Sequence, residues 1–172
     1  WYERIRGYRA ASWSAAIRQL AGTIGADLLI WGVMIWSLTR GLPLWISVLG
    51  LIPASFLHVR LFILFHDCCH GSLFPNRRPN VVDGHLLGAI TFTPFEPWRR
   101  SHLKHHATNA QLDHRGTGDV WTMTVREYHE SPPAVQFRYR VFRNPFVMFV
   151  IGPIYLFVMK YRFFPKNAQA KE

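Results

Sequence analysis

An all-α integral membrane protein, built as a transmembrane helical hairpin with a cytoplasmic histidine-box cap, is the fold class this sequence predicts. Three observations carry it: two long apolar stretches separated by a few turn-forming residues, basic residues placed outside those stretches, and histidines that recur at helical spacing just after them. Composition agrees. The 172 residues are 49% hydrophobic, 15% aromatic and 17% charged, with 20 Lys+Arg against 10 Asp+Glu and a formal net charge of +10. That charged fraction is below the roughly 25% of ordinary soluble chains, and the apolar bulk excludes intrinsic disorder. Nucleic acid is set aside as a partner, because the cations flank apolar spans instead of forming one continuous stripe; on such a chain they suit the anionic face of a membrane. The neighbours Cys68 and Cys69 cannot make a spread-out disulfide framework.

The first element is a basic N-terminal cytoplasmic segment, residues 1–18, with Arg4, Arg6, Arg9 and Arg18 against the single acid Glu3. The apolar stretch that follows is too long for a secretory signal. From Leu20 to Leu38 the only charge is Asp27, and from Gly41 to Val59 there is none. Extended through Leu61 to Phe65, the second stretch has length to spare for a hydrocarbon core of about 30 Å at about 1.5 Å per helical residue. The intervening Thr39-Arg40-Gly41-Leu42-Pro43 leaves room only for a tight turn, so residues 19–65 read as a transmembrane hairpin. Arginines precede the first span, and Arg77, Arg78, Arg99, Arg100 and Lys104 follow the second, so the positive-inside rule puts both ends in the cytoplasm and the turn outside. Arg60 lies close enough to the end of its span to snorkel.

Residues 66–131 form a cytoplasmic histidine region, of which Arg115 to Ser131 is expected to be a loop rich in Gly, Thr and acids. Residues 132–172 make a basic and interfacial segment. Its apolar run, Phe146 to Met159, is only about 21 Å long as a helix, is interrupted by Gly152-Pro153, and has Arg143, Lys160 and Arg162 at its ends. A helix in or dipping into the cytoplasmic interface suits it better than a third crossing.

Five of the nine histidines fall in two clusters, His66-Asp67-Cys68-Cys69-His70 and His102-Leu103-Lys104-His105-His106. At 100° per residue, His66 and His70 share a helical face one turn apart, as do His102 and His106, with His105 beside them. Five imidazoles exceed the needs of one tetrahedral zinc, and imidazole suits iron, copper and zinc alike, so a two-metal centre is favoured. Histidines near a membrane face can also be plain hydrogen-bonders, which is the reading for the isolated His58, His85, His114 and His129, but it does not explain two i,i+4 pairs. Asp67 points about 100° off the His66 face, placed either to orient an imidazole N–H or to serve as a helix-end charge. Cys68 and Cys69 lie off that face and read as small buried residues.

The pair of boxes, His-x-x-x-His after a hairpin and then His-x-x-His-His, resembles the membrane fatty acid desaturases. The likeness includes the lead-in Arg60-Leu61-Phe62-Ile63-Leu64-Phe65 and the stretch from Trp98 to Thr108, and the segments Leu112 to Thr122 and Arg143 to Phe149 are similar to the bacterial acyl-lipid branch. It covers roughly residues 55–162. The resemblance implies a non-haem di-iron enzyme that uses O2 and two electrons to place a double bond in a fatty acyl chain, with His66, His70, His102, His105 and His106 as metal ligands. It also implies an electron donor such as ferredoxin or a cytochrome b5-like protein, which Arg77, Arg78, Arg99 and Arg100 could dock. The chain departs from the family at Cys69, where Gly is frequent, and no further His-x-x-His-His follows His106. A truncated N-terminal portion, with a second hairpin and third box beyond Glu172, is therefore expected. A related membrane hydroxylase or carotenoid ketolase shares such boxes. A non-enzymatic metal-binding or transport protein is the alternative from another class, but its ligands belong near the bilayer midplane.

Overall fold

The structure, a computed structural model, describes residues 1, 10–109, 111–116 and 120–160. Arg4, Arg6 and Arg9 of the basic N-terminal segment, and residues 161–172 with Arg162, lie outside the described residues. Every regular element among the described residues is helical. The chain divides into two compact units, Trp1–Thr91 and Phe92–Glu172, each described by itself.

Helix α1, Trp13–Thr39, begins where the Ser12 hydroxyl accepts from the Ala15 N–H at 3.3 Å. It ends in the predicted turn, with Gly41 at φ +68°. Helix α2, Leu44–His70, passes through Pro53 and does not stop at Phe65; it carries the first histidine pair in its final turn. Each helix has 27 residues, about 40 Å, roughly 10 Å more than a hydrocarbon core. Both are long and apolar enough to cross a membrane.

The distribution of side chains in this hairpin is that of a lipid-facing protein. Leu28, Leu29, Trp36, Leu44, Trp45, Phe56, Val59 and Ile63 are exposed, whereas Ala16, Thr23, Asp27, Ser37, Ser47 and Ala54 are buried. Water would penalise so large an apolar patch, and lipid accepts it. Small and polar residues then let the two helices meet closely. The Ser37 and Ser47 hydroxyls lie 2.7 Å apart, and Ser37 donates to the Met34 carbonyl at 2.8 Å. Beside them, a Cβ on Gly50 would stand 2.7 Å from Cγ and 2.9 Å from Sδ of Met34. Cγ is near the root of that side chain, so Met34 must change rotamer to make room. Gly50→Ala is expected to destabilise the intact protein by about 1–2 kcal/mol in a detergent denaturation experiment, and a neutral result would mean that Met34 relocates freely.

Arg60 does not run free to the interface as its position suggested. Its Nε donates to the Thr23 hydroxyl of α1 at 3.0 Å. Side chains lean toward the N-terminus of their own helix, here away from the near surface, and Thr23 stands level with Arg60 across the antiparallel pair.

Helix α3, Arg77–Ile90, packs on α2 through a face containing Asn80, Gly84, Leu87 and Gly88, all buried. Asn80 fastens this helix to the chain leaving α2. Its Oδ1 accepts from the Phe74 N–H at 3.1 Å, and its Nδ2 donates to the carbonyls of Phe74 at 2.8 Å and Asn76 at 2.7 Å. The Phe74 ring in turn meets Trp13 at 5.0 Å, tying this turn to the start of α1.

In the second unit, α4 spans Phe95–Thr108, α5 Val125–Glu130, α6 Pro133–Phe142 and α7 Val147–Lys160. Helix α5 corrects the expectation of an unbroken loop from Arg115 to Ser131. Thr124-x-x-Glu127 is a capping box: Thr124 Oγ1 accepts from the Glu127 N–H at 3.2 Å, and Glu127 accepts from the Thr124 N–H at 2.7 Å. The pattern was present in the sequence, but polar composition hid it. Trp121 meets Tyr139 at 5.2 Å and Phe142 at 5.8 Å, so the segment before α5 rests on α6. Helices α6 and α7 meet at a 64° bend, which suits a broken span or a re-entrant segment.

The Thr124 N–H, then the Arg115 guanidinium, hold the Glu127 carboxyl below its ordinary value of 4.5. Since the folded form is the more acidic, its stabilisation is complete above about pH 4.5 and is lost as pH falls through the depressed folded value. Trp121 fluorescence of the intact protein should therefore hold through pH 4.5 and change only below it. Glu127→Gln should remove that acid transition, and its persistence in the variant would assign it elsewhere.

Candidate metal centre

The first histidine pair is prepared by the end of α2. Cys68 and Cys69 are each 2% exposed, so the back of the final turn is anchored in the interior while half-buried His66 and exposed His70 face outward. The two rings lie 4.6 Å apart, centre to centre, one turn apart as the spacing requires. Gly71, at φ +68°, ends the helix directly after His70, its N–H reaching the Cys68 carbonyl at 3.0 Å while the Ser72 N–H reaches that of Asp67 at 2.9 Å. This left-handed cap is where glycine is needed, because a Cβ would be strained. Asp67 Oδ1 stands 3.5 Å from His66 Nδ1, at the outer limit of hydrogen bonding.

The second pair is set by α4. Trp98, one turn before His102, stacks on its ring at 4.3 Å with an interplanar angle of 19°. His102 and His106 have ring centres 4.5 Å apart at 88°, and their Nε2 atoms approach to 3.0 Å. Two imidazole nitrogens this close can hold one cation between them. Without an ion, 3.0 Å is also the length of a hydrogen bond between the two rings, and a shared metal at about 2.1 Å from each nitrogen would replace that bond. The His105 ring centre lies 6.4 Å from that of His102 and 5.8 Å from that of His106.

The structure thus brings His66 to His70 within one unit and His102 to His106 within the other. Of the histidines outside the two clusters, His85 Nδ1 lies 2.8 Å from the Val81 carbonyl, and His129 packs against Tyr128 at 5.6 Å. Trp98 was missed in the sequence, although its position one helical turn before His102 was a signal for it. Asn80 and Gly50 carried no local signal.

The family description "Fatty acid desaturase" matches residues 40–172. A fatty acid desaturase of Bacillus subtilis is 49% identical over 124 residues, which is 72% of this chain and 35% of the relative. An sn-1 oleoyl-lipid 12-desaturase of Synechocystis is 34% identical over 85 residues, 49% of this chain and 24% of the relative. A chloroplastic omega-3 fatty acid desaturase of Glycine max is 36% identical over 97 residues, 56% of this chain and 20% of the relative. The chain spans at most about a third of the length of these relatives, and no solved structure matches it.

Proposed function

Because the chain belongs to the fatty acid desaturase family, we propose that the intact protein is an O2-dependent di-iron enzyme that removes two vicinal hydrogens from a fatty acyl chain in the membrane. His66, His70, His102, His105 and His106 are the iron ligands within this chain, and the remaining ligands come from elsewhere in the intact protein. The observation that carries the reading is the approach of His102 Nε2 and His106 Nε2 to 3.0 Å in a chain of this family. Iron so held would supply the oxidising power for breaking unactivated C–H bonds. The chain's own residues do the rest. The final turn of α2 presents His66 and His70 from a buried backing, Trp98 sets the plane of His102, and Asp67 lies near enough to steady the His66 ring.

The place of the first pair supports an enzyme over a transporter. His66 and His70 occupy the last turn of a helix about 10 Å longer than the hydrocarbon core, where an acyl chain and aqueous electron donor can both reach, and not its middle. The positive-inside rule places that end in the cytoplasm. The fatty acid profile of cells expressing the intact gene tests the reading: new double bonds are expected, and an unchanged profile with iron-loaded protein present refutes it.

Ferredoxin or a cytochrome b5-like protein is the electron donor this reading takes. Arg77, Arg78 and Arg100 are exposed, whereas Arg99 is partly satisfied by Glu96 at 3.5 Å. Arg77→Glu with Arg78→Glu should slow electron delivery about tenfold at low salt, with the difference shrinking as salt rises. Reduction kinetics that do not change would dismiss this docking surface.

A further inference from the structure

Between the two hairpin helices, near the His66 end, Arg18, Gln19, Gly22 and Thr23 of α1 and Leu57 and Arg60 of α2 line a cavity of about 210 Å³. Two arginines on one small cavity call for a counter-charge, and among the described residues neither has an acidic partner. Arg60 is partly committed. Its Nε donates to Thr23, itself only 3% exposed, so the guanidinium is held in a fixed plane while its terminal amino groups keep their donors. Arg18 has no hydrogen-bond or ion-pair partner among the described residues. The site is therefore a prepared pair of cationic forks, one of them oriented by a buried hydroxyl.

Its depth identifies the ligand. By helical rise Arg60 stands about 24 Å from Leu44, and Arg18 about 32 Å from Thr39, the ends that share the hairpin turn. With a hydrocarbon core of about 30 Å inside a bilayer of about 40–45 Å, the cavity straddles the far hydrocarbon boundary, just beneath the layer of phospholipid phosphates, within reach of their oxygens. The volume is below the roughly 300 Å³ at which pockets begin to hold whole drug-sized molecules, so it suits one charged headgroup fragment whose tails remain outside. The lipid-facing apolar residues Phe56 and Val59, 73% and 59% exposed, offer such tails a surface on the same stretch of α2.

We propose that this cavity binds the phosphate of a membrane phospholipid, with Arg18 and Arg60 as the anion-binding pair and Thr23 as the residue that positions Arg60. Guanidinium donors match phosphate oxygens in fork geometry, and such charge-assisted bonds strengthen where water is thin. The site is distinct from the histidine pairs and is assayed without iron, so the fate of the di-iron reading does not decide it.

Native mass spectrometry of the intact protein, released from micelles doped with phosphatidylglycerol, tests the proposal. The wild type should retain phosphatidylglycerol at least about tenfold more than a matched uncharged diacylglycerol, and Arg18→Gln should reduce retention about tenfold. Arg18 is exposed and has no bonding partner among the described residues, so its replacement should leave the packing of the helix pair intact. Arg60→Lys should retain part of the binding, and Arg60→Gln should lose it. Equal retention of phosphatidylglycerol and diacylglycerol by the wild type overturns the proposal, whatever the variants do. So does retention unaffected by Arg18→Gln, or displacement of the lipid by inorganic phosphate alone, which would make the site one for free anions.

Discussion

His102→Ala in the intact protein should lower iron content and double-bond formation together, each by more than about 100-fold, since even residues that merely support a metal ligand cost 10–100-fold when lost. The expectation rests on His102 having its ring stacked on Trp98 at 4.3 Å and its Nε2 at 3.0 Å from that of His106. Removing it deletes a donor and frees its neighbour at once. Trp98→Leu keeps every donor and removes only the stacking surface, so it should weaken iron binding less, by about tenfold, while leaving thermal unfolding of the metal-free protein close to wild type. Iron content is read by metal analysis after anaerobic purification, and double bonds by fatty acid profile. If His102→Ala retains full iron, the assignment of this pair as ligands is wrong.

Asn80→Ala should destabilise the intact protein by about 3 kcal/mol, a large effect for a residue that touches no metal. Asn80 is 1% exposed, and its amide makes three hydrogen bonds, two of them to the main chain of Phe74, which is itself 3% exposed. Alanine leaves the Phe74 N–H and carbonyl buried without their partner, at about 1–3 kcal/mol for an orphaned group, beyond the value of the bonds themselves. Because this lock follows α2 within a few residues of His70, loosening it should also broaden the position of the first histidine pair and lower iron affinity. Thermal unfolding in detergent measures the first effect. Asn80→Asp is the control, since it keeps the acceptor for the Phe74 N–H but loses both donated bonds; it too should be destabilised. Wild-type melting in both variants would show that α3 is held by its packing on α2 alone.

Much of this could be read directly from the sequence, for a physical reason shared by all the legible parts. Span length, the Gly41 turn and the i,i+4 recurrence of His66 with His70 and of His102 with His106 are local properties, set by helical rise and pitch within a few turns. Cys68 and Cys69, which helical geometry sets off the histidine face of α2, are buried as that placement allows, whereas Asp67, also off that face, stays partly exposed. Local patterns can also conflict: the Thr124 to Glu127 capping box is as local a signal as the histidine pairs, but it sits in a polar stretch whose composition reads as a loop.

What the sequence by itself determined, then, is an all-helical membrane hairpin ending in paired imidazoles, because hydropathy and helical period are written residue by residue. Only the tertiary structure decided that Gly50 makes room for Met34, that Arg60 turns to Thr23 and shares a cavity with Arg18, and that Asn80 ties α3 to the chain beyond His70. The Gly50 and Arg60 contacts depend on the register between antiparallel helices, and that of Asn80 on the path of the turn after α2. Each is set by packing, so no period or propensity along the chain announces it.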